Sequence, residues 1–131
     1  MEPEPNKPVF CKKLTSSLFY ALRGIKFAYE GQRNMKIHVY ISSLVLALSY
    51  FVKLNQTEFI FILLCIFLVL ITEIINSAIE KNIDLYTSEI NRDAMLGKDM
   101  AAGAVLLTSI NAIIIGLIIF TPKVLNLLRT L

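Results

Sequence analysis

Residues 59 to 84 read FIFILLCIFLVLITEIINSAIEKNID, and this stretch decides the fold. The part from Phe59 to Ile79 is almost entirely apolar. About 20 such residues are needed for a helix to cross the hydrocarbon core of a bilayer. The stretch therefore predicts a membrane-spanning helix, and its last dozen residues carry more polar side chains than a purely structural span would.

Two further apolar runs, Ile37 to Val52 and Ala101 to Phe120, predict two more spans. The first run is short, but Lys36 and Lys53 at its ends can snorkel to the membrane surface. A hydrophobic content of 56% and a mean hydropathy of +0.65 also favour a bilayer over water as the solvent. We predict an all-α membrane protein with spans at about 37–53, 59–79 and 101–120.

The length of 131 residues fits one domain, which we expect at residues 14–131. Residues 1–13 begin MEPEPNKP, which is acidic and proline-rich and unlike a secretory signal, so a disordered tail is expected there. The net charge of +3 does not require nucleic acid, because basic residues in membrane proteins mark the cytoplasmic side. Cys11 and Cys65 lie in different environments and are predicted to be free thiols.

A basic amphipathic helix is predicted before the first span, lying on the membrane surface. Its apolar residues recur at intervals of three and four: Leu14, Leu18, Leu22, Ile25 and Tyr29. Seven lysines and arginines precede the first span, one follows it, three lie in or beside the second loop (about Leu85 to Gly97) and two follow the third span. This asymmetry predicts a cytoplasmic N-terminus and second loop.

The polar end of the second span carries a stripe of carboxylates. At 100° per residue, Glu80 and Asp84 each fall about 20° from Glu73, with Asn76 and Ser77 beside them. A carboxylate in hydrocarbon costs roughly 2.5 to 3.5 kcal/mol, so the stripe must face a bundle interior, a cation or a watery cavity. Glu73, about 8 Å deep at 1.5 Å per residue, would suit a general base for a hydroxyl.

Lys98 and Asp99 precede the third span at the same interface. Together with Glu80 and Asp84 they predict a site for a divalent cation and a polyphosphate, the parts that phosphoryl transfer needs. Gly97-Lys98 lacks the rest of the GxxxxGK[ST] loop, which excludes a soluble-type nucleotide domain.

Blander interpretations stay open for the single elements. Glu80 and Asp84 could be solvated ends of a helix, and Lys98-Asp99 could be an ordinary interface anchor. Glu73 could instead be an intramembrane proton or cation site in a small oligomeric carrier or scaffold. His38, the one histidine, is assigned no role because no second histidine could share a metal with it.

The combined motif is specific. Glu73-x-x-Asn76-Ser77-Ala78-Ile79-Glu80-x-x-x-Asp84, followed by Lys98-Asp99-x-Ala-Ala-Gly-Ala-Val-Leu, resembles the prokaryotic diacylglycerol kinase family, which includes undecaprenol kinases. The segment Arg33-Asn34-Met35-Lys36-Ile37-His38 also resembles that family's approach to its first span. The resemblance runs from about Ser17 to Gly116.

The resemblance implies an ATP-dependent lipid kinase of a prokaryotic plasma membrane, a homotrimer with active sites between subunits. It converts diacylglycerol to phosphatidic acid, or undecaprenol to its phosphate, with Mg²⁺ accompanying ATP. By this comparison Glu73 is the general base and Glu80 a magnesium ligand. The remaining matches are nucleotide contacts at Tyr20, Glu89, Lys98 and Asp99, and family-typical polar positions at Asn76 and Asp84.

Two positions depart from the family pattern or bear on its branches. Gln32 stands where many members carry a second magnesium-binding glutamate, and an amide is the weaker ligand, so Glu30 is a candidate to compensate. Ala102 stands where diacylglycerol-specific members tend to carry serine, which favours the undecaprenol branch.

Overall fold

A computed structural model describes residues 14–86 and 91–129, so the predicted disordered tail at 1–13 lies outside the described residues. Within these ranges the fold is entirely helical, as predicted. There are four helices: α1 at Leu14–Gly31, α2 at Arg33–Phe51, α3 at Gln56–Tyr86 and α4 at Arg92–Arg129.

The long helices α3 and α4 make the most extensive contact, α2 packs on α3, and α1 lies against α2 and α3. Few large apolar side chains are buried by these contacts, and most of those on α3 and α4 stay exposed. Both helices are long and apolar enough to cross a membrane. Their exposed side chains are therefore suited to contact with lipid.

The second and third predicted spans lie within α3 and α4. The first lies on α2, which is not among the helices that meet the same test of length and hydropathy in the described residues. Helix α2 also ends at Phe51, two residues before the predicted end of that span. Lys53 turns the chain there with a φ of 52°, a left-handed conformation that no helix interior uses.

The second loop is shorter than the predicted Leu85 to Gly97, because both flanking helices continue into it. Helix α4 begins early because Asn91 caps it: its Oδ1 accepts hydrogen bonds from the backbone N–H groups of Asp93 at 2.9 Å and Ala94 at 3.3 Å. Asp93 also places a negative charge in the first turn, where the helix dipole favours it.

Helix α3 begins with a reciprocal cap that also holds the far end of α4. The Glu58 N–H donates to Asn55 Oδ1 at 2.9 Å, and the Asn55 N–H donates to Glu58 Oε2 at 2.8 Å. Lys123 lies 3.0 Å from the same Glu58 oxygen. The cap therefore fixes the start of one helix and pairs with the end of the other.

Replacing Asn55 by alanine removes the side-chain half of this cap. We expect Asn55→Ala to lower the free energy of unfolding by about 1 kcal/mol, the usual worth of an N-cap. Thermal unfolding in detergent measures the change. The neighbouring Gln56→Ala is the matched control, because Gln56 is exposed, and it should stay within about 0.5 kcal/mol of the parent. Equal losses in both variants would contradict the role of the cap.

Candidate active site

The polar stripe on α3 is buried within the chain. Glu73, Asn76 and Ser77 are only 2%, 5% and 6% exposed. Asn76 and Ser77 follow Glu73 by three and four residues, so the helical repeat brings them to the same side of α3 as Glu73. Asn76 Nδ2 donates to Glu80 Oε1 at 3.1 Å, which links the buried stripe to the more accessible carboxylate one turn on.

Two atoms of this stripe have unused hydrogen-bonding capacity. Asn76 Oδ1 and Ser77 Oγ are buried, and neither has a partner among the described residues. Buried polar atoms are nearly always paired, so unpaired ones at a candidate site indicate a partner or ligand that completes them. The stripe is therefore built to receive a further polar group.

His38 lies closer to the site than its sequence suggested. It lines an apolar groove of about 380 Å³ between α2, α3 and α4, together with Val69, which is one turn before Glu73. His38 thus lines the same groove as the turn of α3 that precedes Glu73. No sequence pattern could have shown this, because it depends on which face of α2 packs against α3.

Lys98 meets Asp84 near the end of α3 and the start of α4. The Lys98 ammonium donates to Asp84 Oδ1, and both side chains are partly exposed. The two helices approach closely at this level, since a Cβ on Gly97 would lie 3.3 Å from Ile83 Cδ1. Two of the predicted site residues, one from each helix, are thus joined directly.

Gln32, another of the predicted site residues, lies at the junction of α1 and α2. It lines a cavity of about 340 Å³ between α1 and α3, and Ser77 and Lys81 line the same cavity. The Lys81 ammonium lies 5.9 Å from the centre of the Phe27 ring. Gln32 therefore shares one cavity with the two polar residues Ser77 and Lys81 of α3.

The other predicted site residues are not drawn into the buried stripe. Tyr20 is exposed on α1, with the Arg23 guanidinium 5.4 Å from its ring centre. Glu30 pairs with Lys26 at 3.7 Å on the exposed face of α1. Asp99 and Ala102 are exposed on α4. The predicted nucleotide contact Glu89 lies outside the described residues.

The donor set fits a magnesium ion that arrives with a nucleotide. Within residues 14–86 and 91–129 no cluster of three or more His, Cys, Asp or Glu side chains could hold a metal by itself. Mg²⁺ in phosphoryl-transfer enzymes is held by one or two carboxylates together with the substrate's phosphates and water. Glu80, which accepts a hydrogen bond from Asn76, would supply one such carboxylate.

These features define a helical membrane protein whose buried carboxylate lies beside a candidate metal and phosphate site. Comparison with known proteins assigns the family, because the pattern of the prokaryotic diacylglycerol kinases matches residues 19–120. The chain belongs to this family and is an ATP-dependent lipid kinase.

Three relatives show how far the likeness extends. The chain is 34% identical over 116 residues to a diacylglycerol kinase of Synechocystis, covering 88% of this chain and 66% of the relative. It is 37% identical over 107 residues to the undecaprenol kinase of Bacillus subtilis, covering 82% and 87%. A Helicobacter pylori diacylglycerol kinase is 31% identical over 103 residues, covering 79% and 80%.

The exposed Lys98–Asp84 pair should contribute little to folding. We expect Lys98→Met to change the free energy of unfolding by less than about 1 kcal/mol, because water screens partly exposed ion pairs. Thermal unfolding in detergent measures the change, with Asp84→Asn as the partner variant. A loss of several kcal/mol in either variant would show that the pair is a structural element and not a substrate-binding one.

Proposed function

We propose that the chain transfers the γ-phosphate of MgATP to the primary hydroxyl of diacylglycerol or undecaprenol at the cytoplasmic face of a prokaryotic plasma membrane. The observation that carries the proposal is the burial of Glu73 in a stripe that continues through Asn76 to Glu80. A carboxylate so enclosed at the inner end of a membrane helix lies where a lipid hydroxyl and a nucleotide phosphate could meet.

Glu73 acts as the general base in this proposal. It accepts the proton of the lipid hydroxyl while the hydroxyl oxygen bonds to the γ-phosphorus and the bond to the β-phosphate oxygen breaks. ADP leaves, and the proton passes from Glu73 to solvent. A positioned base of this kind contributes about 10² to 10⁴ to the rate.

The remaining polar residues neutralise and orient the polyphosphate. Glu80 would hold Mg²⁺, and the hydrogen bond from Asn76 fixes the direction of its carboxylate. Lys98 would bind the phosphates, and Asp84 holds the ammonium in place until they arrive. The residues proposed as further nucleotide contacts are Tyr20, Asp99 and Glu89. Such positioning and charge neutralisation account for most of the catalysis of phosphoryl transfer.

The lipid we favour is undecaprenol. The relative from B. subtilis is named an undecaprenol kinase and shares 37% of its aligned residues with this chain. Ala102 supports the choice, because it is exposed on α4 and presents a methyl group in place of a hydroxyl. Diacylglycerol is the alternative acceptor, as the names of the Synechocystis and H. pylori relatives suggest.

The proposed assembly is a homotrimer of three-span subunits with cytoplasmic N-termini. Helix α2 would cross the membrane in addition to α3 and α4, since many of its apolar side chains face outward as those of α3 and α4 do. Sites between subunits would explain two observations. Tyr20 and Glu30 are exposed in the single chain, and the buried Asn76 Oδ1 has no partner among the residues that the structure describes.

Glu73→Gln tests the proposed base. We expect transfer of labelled γ-phosphate from MgATP to fall by at least about 10²-fold with both lipids, because the amide cannot accept the proton. Purified protein in detergent is assayed with diacylglycerol and undecaprenol in parallel, and size-exclusion chromatography monitors assembly. Asp93→Asn is the matched control, a carboxylate-to-amide change at an exposed site on α4.

Parent-like activity in Glu73→Gln would rule out Glu73 as the base. Absence of transfer to either lipid by the folded parent would favour the carrier or scaffold, in which Glu73 binds a proton or cation.

Gln32→Glu tests whether the residue at position 32, where the family pattern has a glutamate, takes part in binding Mg²⁺. A carboxylate binds Mg²⁺ better than an amide, so the Mg²⁺ concentration for half-maximal transfer should fall by a few-fold or more, with removal of Mg²⁺ abolishing transfer in both proteins. Titration of Mg²⁺ at fixed ATP measures the shift. Glu30→Gln serves as the comparison, and an unchanged Mg²⁺ dependence in Gln32→Glu would remove position 32 from the metal site.

A further inference from the structure

Polar contacts between described residues of α3 and α4 include three that are spread along the two helices. Two lie near the helix ends and involve charged pairs, Asp84 with Lys98 and Glu58 with Lys123. The third lies between them and is uncharged: Thr72 Oγ1 and Thr108 Oγ1 are 3.0 Å apart. The residue numbers of each pair add up to between 180 and 182, as expected for one seam between two antiparallel helices of equal rise.

The threonine pair uses all the hydrogen-bonding capacity that its two protons offer. Thr108 Oγ1 lies 2.9 Å from the carbonyl of Val105, and Thr72 Oγ1 lies 2.9 Å from the carbonyls of Leu68 and Val69. Whichever hydroxyl donates across the seam, the other can donate to a carbonyl of its own helix. The contact is thus a complete, uncharged link between two apolar helices.

The two end pairs cannot fix the helix rotation as closely. Their side chains are long and partly exposed, so water competes for them and their geometry can vary. Threonine hydroxyls sit directly on Cβ, so a bond between two of them fixes the backbone nearby. Between apolar helices few polar side chains compete for such a bond.

We propose that Thr72 and Thr108 are positioning residues for Glu73, an inference that rests on the proposed role of Glu73 as the base. Thr72 directly precedes Glu73, so the rotation of α3 that the threonine pair fixes also fixes the direction of the carboxylate. A carboxylate about 5 to 6 Å from the helix axis moves by about 1 Å for a rotation of about 10°. A misplacement of that size lowers reaction rates markedly.

The test removes one hydroxyl at a time without changing shape. Thr72→Val and Thr108→Val should each lower kcat by about threefold to twentyfold, because the carboxylate is then held less closely in its reactive position. The KM for MgATP should stay unchanged, because neither residue contacts the proposed phosphate site. The double variant should be no worse than the poorer single one, and serine at either position should restore kcat.

Ser43→Ala is the matched control. The Ser43 hydroxyl donates only to the carbonyl of Val39 in its own helix, so its loss should leave kcat unchanged. Parent-like kcat in both valine variants, independent losses that multiply in the double variant, or a change confined to the melting temperature would each overturn the proposal.

Glu73→Gln assayed alongside separates the two hypotheses. An active Glu73→Gln variant would refute the assignment of Glu73 as the base. An inactive Glu73→Gln variant beside fully active valine variants would refute only the positioning role of Thr72 and Thr108.

Discussion

A carboxylate enclosed between apolar helices is the constraint on which the rest of this structure depends. Glu73 is 2% exposed on a helix whose preceding residues are almost all hydrophobic. Such a group is tolerated only where neighbouring polar groups and packed helices replace the water it has lost. Asn76 and Ser77 are buried on the same side of α3, so the polar residues of this helix concentrate there.

The seam between α3 and α4 also explains the ends of the helices. Where α3 ends and α4 begins, Gly97 has no side chain, so α4 can approach Ile83 and Lys98 can reach Asp84. At the opposite end of the seam α4 continues through Pro122, which forgoes one backbone hydrogen bond, and Lys123 then pairs with Glu58. Asn91 and Asn55, at the starts of α4 and α3, complete the backbone donors that these long helices leave open.

Hydropathy and helical periodicity predicted the parts of this fold that depend on one helix at a time. The apolar runs predicted α3 and α4, and the 100° repeat predicted that Glu73 and Asn76 share a side. Which faces of two helices pack together was not predictable, because helical periodicity does not say which rows of side chains meet. The predicted apolar face of α1 is largely exposed, and α1 instead buries the small side chain of Ala28. The position of His38 and the hydrogen bond between Thr72 and Thr108 were not predicted for the same reason.

The exposed residues of the candidate site and the buried ones suit different ligands. Under the proposed function, Glu73 acts on a lipid hydroxyl away from bulk water, whereas polyphosphate and Mg²⁺ enter and leave through water. The structure grades the polar residues accordingly: Glu73 and Asn76 are buried, Glu80 is half-buried, and Asp84 and Asp99 are exposed. A single stripe along α3, together with the start of α4, supplies this gradient of exposure. Under the proposed function, that is how so short a chain could bring a lipid and a nucleotide to one carboxylate.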